Sequence, residues 1–258
     1  MNFIGIDIGS TCAKTAIMDE SQTITDTFVI PTGWSSFDAI RQIQEKLTRL
    51  GIDPKQMKCV STGYGREAVS FADKKVTEIT CHAKGGAVLF GAEKINLIDI
   101  GGQDTKVISC TNGRVEEFFM NDKCSAGTGK FVEIMANRLL LPIEQLDEVA
   151  RQKTEELTIS SMCTVFAESE IVALIGKGTS KENISWGVLN SVVRKVKQEY
   201  SKLHDDDRPV YLTGGLCDNP YFLELLSKSM NRTITSCPRA RYAGAIGAAA
   251  AARQMAGF

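Results

Sequence analysis

Apolar residues fill Phe3 to Ile8, a Gly-Ser-Thr turn follows at 9–11, and a second apolar run covers Ala13 to Met18. Short apolar runs bounded by turn residues predict strands. Further on, Ile40, Ile43, Leu47 and Leu50 recur at helical spacing, so 37–50 reads as a helix closed by Gly51. Lys58 to Thr62 reads as a strand leading into a GYGR turn. A second strand–turn–strand unit then begins: Lys94 to Ile100, Gly101-Gly102, and Thr105 to Cys110. Asn112-Gly113 is a hairpin turn signal before Val115 to Met120.

The second half is mostly helical in pattern. Helices are predicted over 129–140, 146–153, 166–175, 183–203 and 221–230, with a solvated acidic loop at Asp205-Asp206-Asp207 and a strand at 209–213 ending in Gly214-Gly215. Residues 243–255 form an alanine-rich helix with Gly244 and Gly247, suited to close packing. The sequence Asp-Ile-Gly closes the first strand of each strand–turn–strand unit, at 7–9 and 99–101, so the architecture repeats.

That repeat carries phosphate chemistry. Glycine lets backbone approach a phosphate, and the N–H groups of a turn donate to its oxygens. In the first turn Gly9, Ser10, Thr11, Cys12, Ala13 and Lys14 are candidate nucleotide contacts, and Asp7 is placed to hold Mg²⁺. In the second, Gly101, Gly102, Gln103 and Asp104 take the same part, with Asp99 for Mg²⁺ and Gln103 to orient a water. Asp7, Asp99 and Gln103 are the candidate catalytic residues. One Asp-x-Gly turn is commonplace; two between apolar strands, with a later strand ending in Thr-Gly-Gly, are far more specific. Neither a P-loop nor a dinucleotide fingerprint is present.

Composition narrows the partners. The chain has 258 residues, 43% hydrophobic and 24% charged, with a net charge of −1, so no global field draws nucleic acid or an anionic membrane. No apolar run is long enough for a membrane-spanning helix, and the first residues lack the features of a signal peptide, so a cytoplasmic location is expected. Eight cysteines are present without a Cys-x-x-Cys pair, which disfavours a one-chain zinc knuckle or ferredoxin-type run.

The segments DIGSTCAK (7–14), DIGGQDTK (99–106) and LTGG (212–215) resemble the phosphate and adenosine motifs of the actin/hexokinase/Hsp70 ATPase superfamily. The resemblance implies an α/β fold of two ribonuclease H-like lobes, each with a five-stranded mixed sheet, closing over Mg·ATP. On it we place lobe I at 1–92, lobe II at 93–240, and a C-terminal helix returning to lobe I at 241–258. Within the superfamily, TGYGR (62–66), EITCHAKG (78–85), MNDKCSAGTGKF (120–131), SMCTVFAESE (161–170) and AGAIGAA (243–249) resemble the activators of 2-hydroxyacyl-CoA dehydratases and the ATP-binding subunits of benzoyl-CoA reductase.

That resemblance implies a homodimer in which Cys124 and Cys163 of each subunit hold one shared [4Fe–4S] cluster. It implies ATP hydrolysis coupled to one-electron transfer to an iron–sulfur acceptor enzyme, with ferredoxin or flavodoxin as donor. Gly127, Thr128, Gly129, Lys130, Gly214 and Gly215 join the ATP contacts. Cys124 and Cys163 each precede a predicted helix, whose N-terminal N–H groups favour a thiolate. Glu168 and Glu170 read as first-turn carboxylates, His82 as a hydrogen-bonded structural residue, and the remaining cysteines as packing. The competing classes are a small-molecule kinase of the same fold, which has no use for Cys124 and Cys163, and a non-catalytic nucleotide-binding regulator.

Overall fold

A computed structural model describes residues 1–122, 124–160, 163–204 and 206–258. The chain runs β1 (Asn2–Ile8), β2 (Cys12–Asp19), β3 (Ile24–Pro31), α1 (Ser36–Arg49), β4 (Lys58–Thr62), β5 (Lys74–Lys75) and α2 (Glu78–Phe90). It continues through β6 (Lys94–Ile100), β7 (Thr105–Thr111), β8 (Arg114–Asn121), α3 (Gly129–Arg138), α4 (Leu146–Arg151), α5 (Thr164–Gly176) and α6 (Lys181–Tyr200). It ends with β9 (Val210–Gly214), α7 (Pro220–Met230), β10 (Ile234–Thr235) and α8 (Ala243–Met255). Two five-stranded sheets form, ordered β3-β2-β1-β4-β5 and β10-β9-β6-β7-β8. The chain divides into two compact units: Met1–Leu97 with Ile108–Phe118 and Cys237–Phe258, and Ile98–Val107 with Phe119–Ser236.

In the first unit β1 pairs antiparallel with β2 and parallel with β4. Side chains alternate across a strand. Ile4, Ile6 and Ile8 join Ile40, Ile43 and Leu47 of α1 in one core, while Phe3 joins alanines of α8 in another. Burial on both faces is why β1 reads as an almost unbroken apolar run. α8 lies flush on the sheet because Gly5 has no side chain: a Cβ there would sit 1.9 Å from the Ala245 carbonyl oxygen. α8 also crosses α2 at backbone distance, since a Cβ on Gly247 would sit 1.8 Å from the Cys81 carbonyl oxygen. The small residues of 243–255 therefore serve two packing partners.

Besides the two-residue strands β5 and β10, two elements carry too weak a pattern to be read locally. β3 is an edge strand with Thr25, Asp26 and Thr27 breaking its apolar face. α2 holds Gly85-Gly86, each costing about 1 kcal/mol of helix propensity, and forms where α8 packs against it. Elsewhere the expected elements differ by a few residues at their ends. The 129–140 helix stops at Arg138, and Leu140 turns left-handed at φ +53°. The 183–203 helix begins at Lys181, where Ser180 caps it by accepting from Asn183 N–H.

In the second unit helices α3 to α7 pack on one another. α7 is fixed to α4 by Asp147, whose buried carboxylate accepts from Tyr221 N–H at 2.9 Å and Phe222 N–H at 2.8 Å. Those are two of the N–H groups that the start of α7 leaves unpaired; its first residue, Pro220, has none. Of the acidic run 205–207, Asp205 lies outside the described residues. No helix among the described residues is long and apolar enough to cross a membrane.

Candidate functional site

The first Asp-Ile-Gly turn, the first candidate phosphate turn, joins β1 to β2. Gly9 N–H donates to the Cys12 carbonyl at 3.1 Å, and Thr32 Oγ1 braces the turn by donating to the Gly9 carbonyl at 2.7 Å. Ser10 and Thr11 form the tip; Ala13 is buried in the core and leaves only its backbone at the turn. Asp7 is buried, and its position is built by two glycines. A Cβ on Gly63 would lie 2.5 Å from Asp7 Oδ1, and one on Gly244 would lie 2.5 Å from Asp7 Oδ2. The same Cβ on Gly244 would lie 3.0 Å from His82 Nε2, so His82 sits beside this carboxylate. His82 is buried with Nε2 3.7 Å from Glu78 Oε1. Sequence reasoning passed over Gly63, Gly244 and this neighbourhood of His82, because each is brought to Asp7 by packing alone.

The second phosphate turn joins β6 to β7, and three distant segments converge on its backbone. Gly129 N–H donates to the Gly101 carbonyl and Lys130 N–H to the Gly102 carbonyl, each at 2.9 Å. Gly215 N–H donates to the Ile100 carbonyl at 2.9 Å. Thr105 Oγ1 donates to the Gly127 carbonyl at 2.7 Å. Gly214 adopts φ +87°, and a Cβ there would meet the Ile100 carbonyl oxygen at 2.2 Å, so the Thr-Gly-Gly strand end admits only glycine. The structure thus gathers Gly101, Gly102, Gly127 to Lys130, Gly214 and Gly215 around one turn. Asp99 is buried, and Thr213 Oγ1 donates to its Oδ1 at 2.7 Å. Asp104 is also buried and forms an ion pair with Lys106 at 2.6 Å, whereas Gln103 is exposed. Lys130 Nζ bonds Glu133 at 2.9 Å on the surface. Thr128 is fully buried, its hydroxyl donating to the Ser125 carbonyl.

Cys124 and Cys163 are exposed, and all eight cysteines are free thiols. The residues that follow them touch: Ser125 Oγ and Thr164 Oγ1 are 2.7 Å apart. Standard backbone dimensions then keep the two cysteine Cα atoms within about 15 Å of each other. Asn121 Nδ2 holds the first loop by donating to the Cys124 carbonyl at 3.0 Å. On the second, Glu170 accepts from both N–H and Oγ of Ser160, at 3.0 Å each, and Arg194 donates to the Ile159 carbonyl at 2.6 Å. Lys123, Ser161 and Met162 of these motifs lie outside the described residues.

Two expectations change here. Glu168 and Glu170 lie beyond the first turn of α5; Glu168 pairs with Arg138 at the end of α3, and Glu170 clamps Ser160. Each therefore tethers a neighbouring segment. Cys163 is the N-cap of α5, but at α3 the Gly129 and Lys130 N–H groups are already committed to the phosphate turn. Of these two helices, α5 is the one that leaves its N-terminal dipole directly beside a cysteine.

The other thiols differ in chemistry. Cys59, Cys81, Cys110 and Cys217 are buried. Burial pushes the Cys59 and Cys81 thiols up to about 12. At pH 8 their thiolate fraction is then on the order of 10⁻⁴, and the thiolate is the nucleophile. Iodoacetamide labelling of metal-free protein at pH 8, read by peptide mass spectrometry, is expected to modify Cys124 and Cys163 well before Cys59 and Cys81.

The pattern of the BadF/BadG/BcrA/BcrD ATPase family matches residues 4–252. The chain belongs to this family. The (R)-2-hydroxyglutaryl-CoA dehydratase activating ATPase of Acidaminococcus fermentans is 38% identical over 248 residues, covering 95% of each chain. A solved structure, the activator of the 2-hydroxyisocaproyl-CoA dehydratase from Clostridium difficile with bound ADPNP, superposes with a TM-score of 0.92 at 34% identity. It covers 100% of this chain and 96% of that one. A ROK family glucokinase from Streptomyces griseus superposes at TM-score 0.64 and 15% identity, covering 98% and 100%, a likeness of fold alone. This member of the BadF/BadG/BcrA/BcrD family is an ATPase with the actin/hexokinase-like fold.

Proposed function

We propose that the chain is a homodimeric ATPase that couples ATP hydrolysis to low-potential one-electron transfer into a partner iron–sulfur enzyme, of the 2-hydroxyacyl-CoA dehydratase kind or a related reductase. The observation that carries this reading is the pair of exposed cysteines on loops joined by the Ser125–Thr164 hydrogen bond. Two exposed thiols per chain, on loops held together by that bond, fit half the usual four-thiolate donor set of a [4Fe–4S] cluster, so Cys124 and Cys163 of two protomers would hold one cluster. When bound, such a cluster supplies reversible one-electron transfer.

A second copy also suits the surface beside these cysteines. α5 buries Thr164, Ala167 and Ile171 and exposes Val165, Phe166, Val172 and Ile175. An apolar stripe on this scale calls for cover, and a two-fold contact brings like faces together.

For the nucleotide, Asp7 and Asp99 would each offer a carboxylate to Mg²⁺, the backbone N–H groups of each turn would donate to phosphate oxygens, and Gln103 would orient the attacking water. When bound, Mg²⁺ would offset the negative charge of the phosphates. Hydrolysis consumes one water and yields ADP, phosphate and a proton. Dehydratase activation is named for the Acidaminococcus and Clostridium relatives, and it comes to this chain through the shared family and the cysteine pair.

Purification under strict anaerobiosis tests the proposal. The expected result is a brown dimer carrying about four iron and four sulfide per two chains. A colourless, iron-free protein that resists reconstitution with iron and sulfide would remove the redox reading and leave a nucleotide hydrolase.

A further inference from the structure

The two phosphate hairpins carry a lysine at the same place, seven residues after the aspartate, in Asp7…Lys14 and Asp99…Lys106. The structure gives these two lysines opposite surroundings. Lys14 sits across from Asp7 in the β1–β2 register, is partly exposed, and its ammonium makes no hydrogen bond or ion pair among the described residues. Lys106 is fully buried, and its Nζ lies 2.6 Å from Asp104 Oδ1 and 3.4 Å from Asp99 Oδ2. The Asp104 carboxylate is seated where Gly101 has no side chain: a Cβ there would come within 2.2 Å of Asp104 Oδ1.

A buried ammonium is a costly device. It must be stripped of water, and an apolar residue of similar volume commonly serves stability as well or better. Here the ammonium stands between two buried carboxylates that would repel each other without it. It also completes a chain of contacts. Lys106 engages one oxygen of Asp99, and Thr213 donates to the other, so both oxygens of that carboxylate are oriented from fixed points on β7 and β9.

We propose that Lys106 is a positioning residue for ATP hydrolysis: with Thr213 it fixes the Asp99 carboxylate for Mg²⁺, while Lys14 is the hairpin lysine that meets phosphate. One hairpin lysine is committed inside the protein and the other is left for the ligand. This rests on the reading of Asp99 as a Mg²⁺ carboxylate, and the test separates the two.

ADP affinity measured by calorimetry, with Mg²⁺ and with EDTA, supplies a readout independent of turnover. In Lys106→Met the Mg²⁺-free affinity should stay within about threefold of the wild type, while the gain on adding Mg²⁺ shrinks by about 10- to 100-fold, the usual loss when a ligand's supporting partner is removed. The ATPase kcat should fall in step. Lys14→Met should weaken ADP with and without Mg²⁺. A Lys106→Met protein that responds to Mg²⁺ as the wild type does, while Asp99→Asn does not, overturns the role of Lys106 and leaves Asp99 in place. A normal Mg²⁺ response in Asp99→Asn overturns the reading of Asp99 and the proposal with it. Should Lys106→Met fail to fold, Thr213→Val decides: it removes the other restraint on Asp99 and must show the same selective loss. An unchanged Mg²⁺ response in Thr213→Val refutes the proposal.

Discussion

Cys163→Ala and Cys124→Ala are each expected to yield a colourless protein without bound iron that still binds ADP. Each substitution deletes two of the four thiolates in a symmetric dimer, and two ligands do not retain a four-iron cluster. The proposed nucleotide contacts lie elsewhere. The Gly129–Gly101, Lys130–Gly102 and Gly215–Ile100 hydrogen bonds that build the second phosphate turn involve neither cysteine. Both cysteines are exposed, so truncation opens no core cavity, and thermal unfolding of the iron-free variants should match that of the iron-free wild type. The measurements are iron content, visible absorption and ADP affinity on anaerobically prepared protein. Full iron and unaltered charge-transfer bands in either variant would show that the thiolates come from elsewhere.

The second large effect concerns turnover. Asp99→Asn, and separately Asp7→Asn, should lower ATPase kcat by about 10²- to 10³-fold, as removal of one preorganised charge-stabilising group does. Neither should disturb the cysteine pair. Asparagine is nearly isosteric with aspartate and can still accept from Thr213, and Lys106 keeps its shorter ion pair to Asp104, so the turn keeps its shape while the charge proposed to hold Mg²⁺ is lost. The cluster should remain, and iron content separates this outcome from general damage to the fold. Normal hydrolysis in both variants would remove the two turns from the chemistry.

Much of this was legible from the residue order. β1, β2, β4, β6 and β7 announce themselves as short apolar runs beside glycine turns, and α8 as a run of small residues. The recurrence of Asp-Ile-Gly flagged the two turns proposed to meet phosphate, and the resemblance of the motifs around Cys124 and Cys163 to those of the family singled out two thiols among eight. These are local signals. Strand alternation, helix periodicity and turn chemistry act within a few residues, so the order of residues is enough to read them.

What tertiary structure decided involves residues remote in the chain. Lys106 reads as an ordinary strand residue until Asp99 and Asp104 are seen to enclose it. Gly244 becomes part of the Asp7 surroundings only because α8 returns to β1 from the far end of the chain. α2 is a helix despite Gly85-Gly86, since Gly247 lets a second helix come close enough to bury it. Glu168 and Glu170 have the composition of solvated helix carboxylates, yet they tether Arg138 and Ser160. The residue order therefore determined the elements and the two Asp-Ile-Gly turns, because those follow from short-range sterics and periodicity, whereas the candidate thiols were read from resemblance to the family's motifs. Folding decided which carboxylate meets which cation, which helices touch at their backbones, and that Ser125 joins Thr164. Such contacts depend on distances in space that spacing along the chain does not encode.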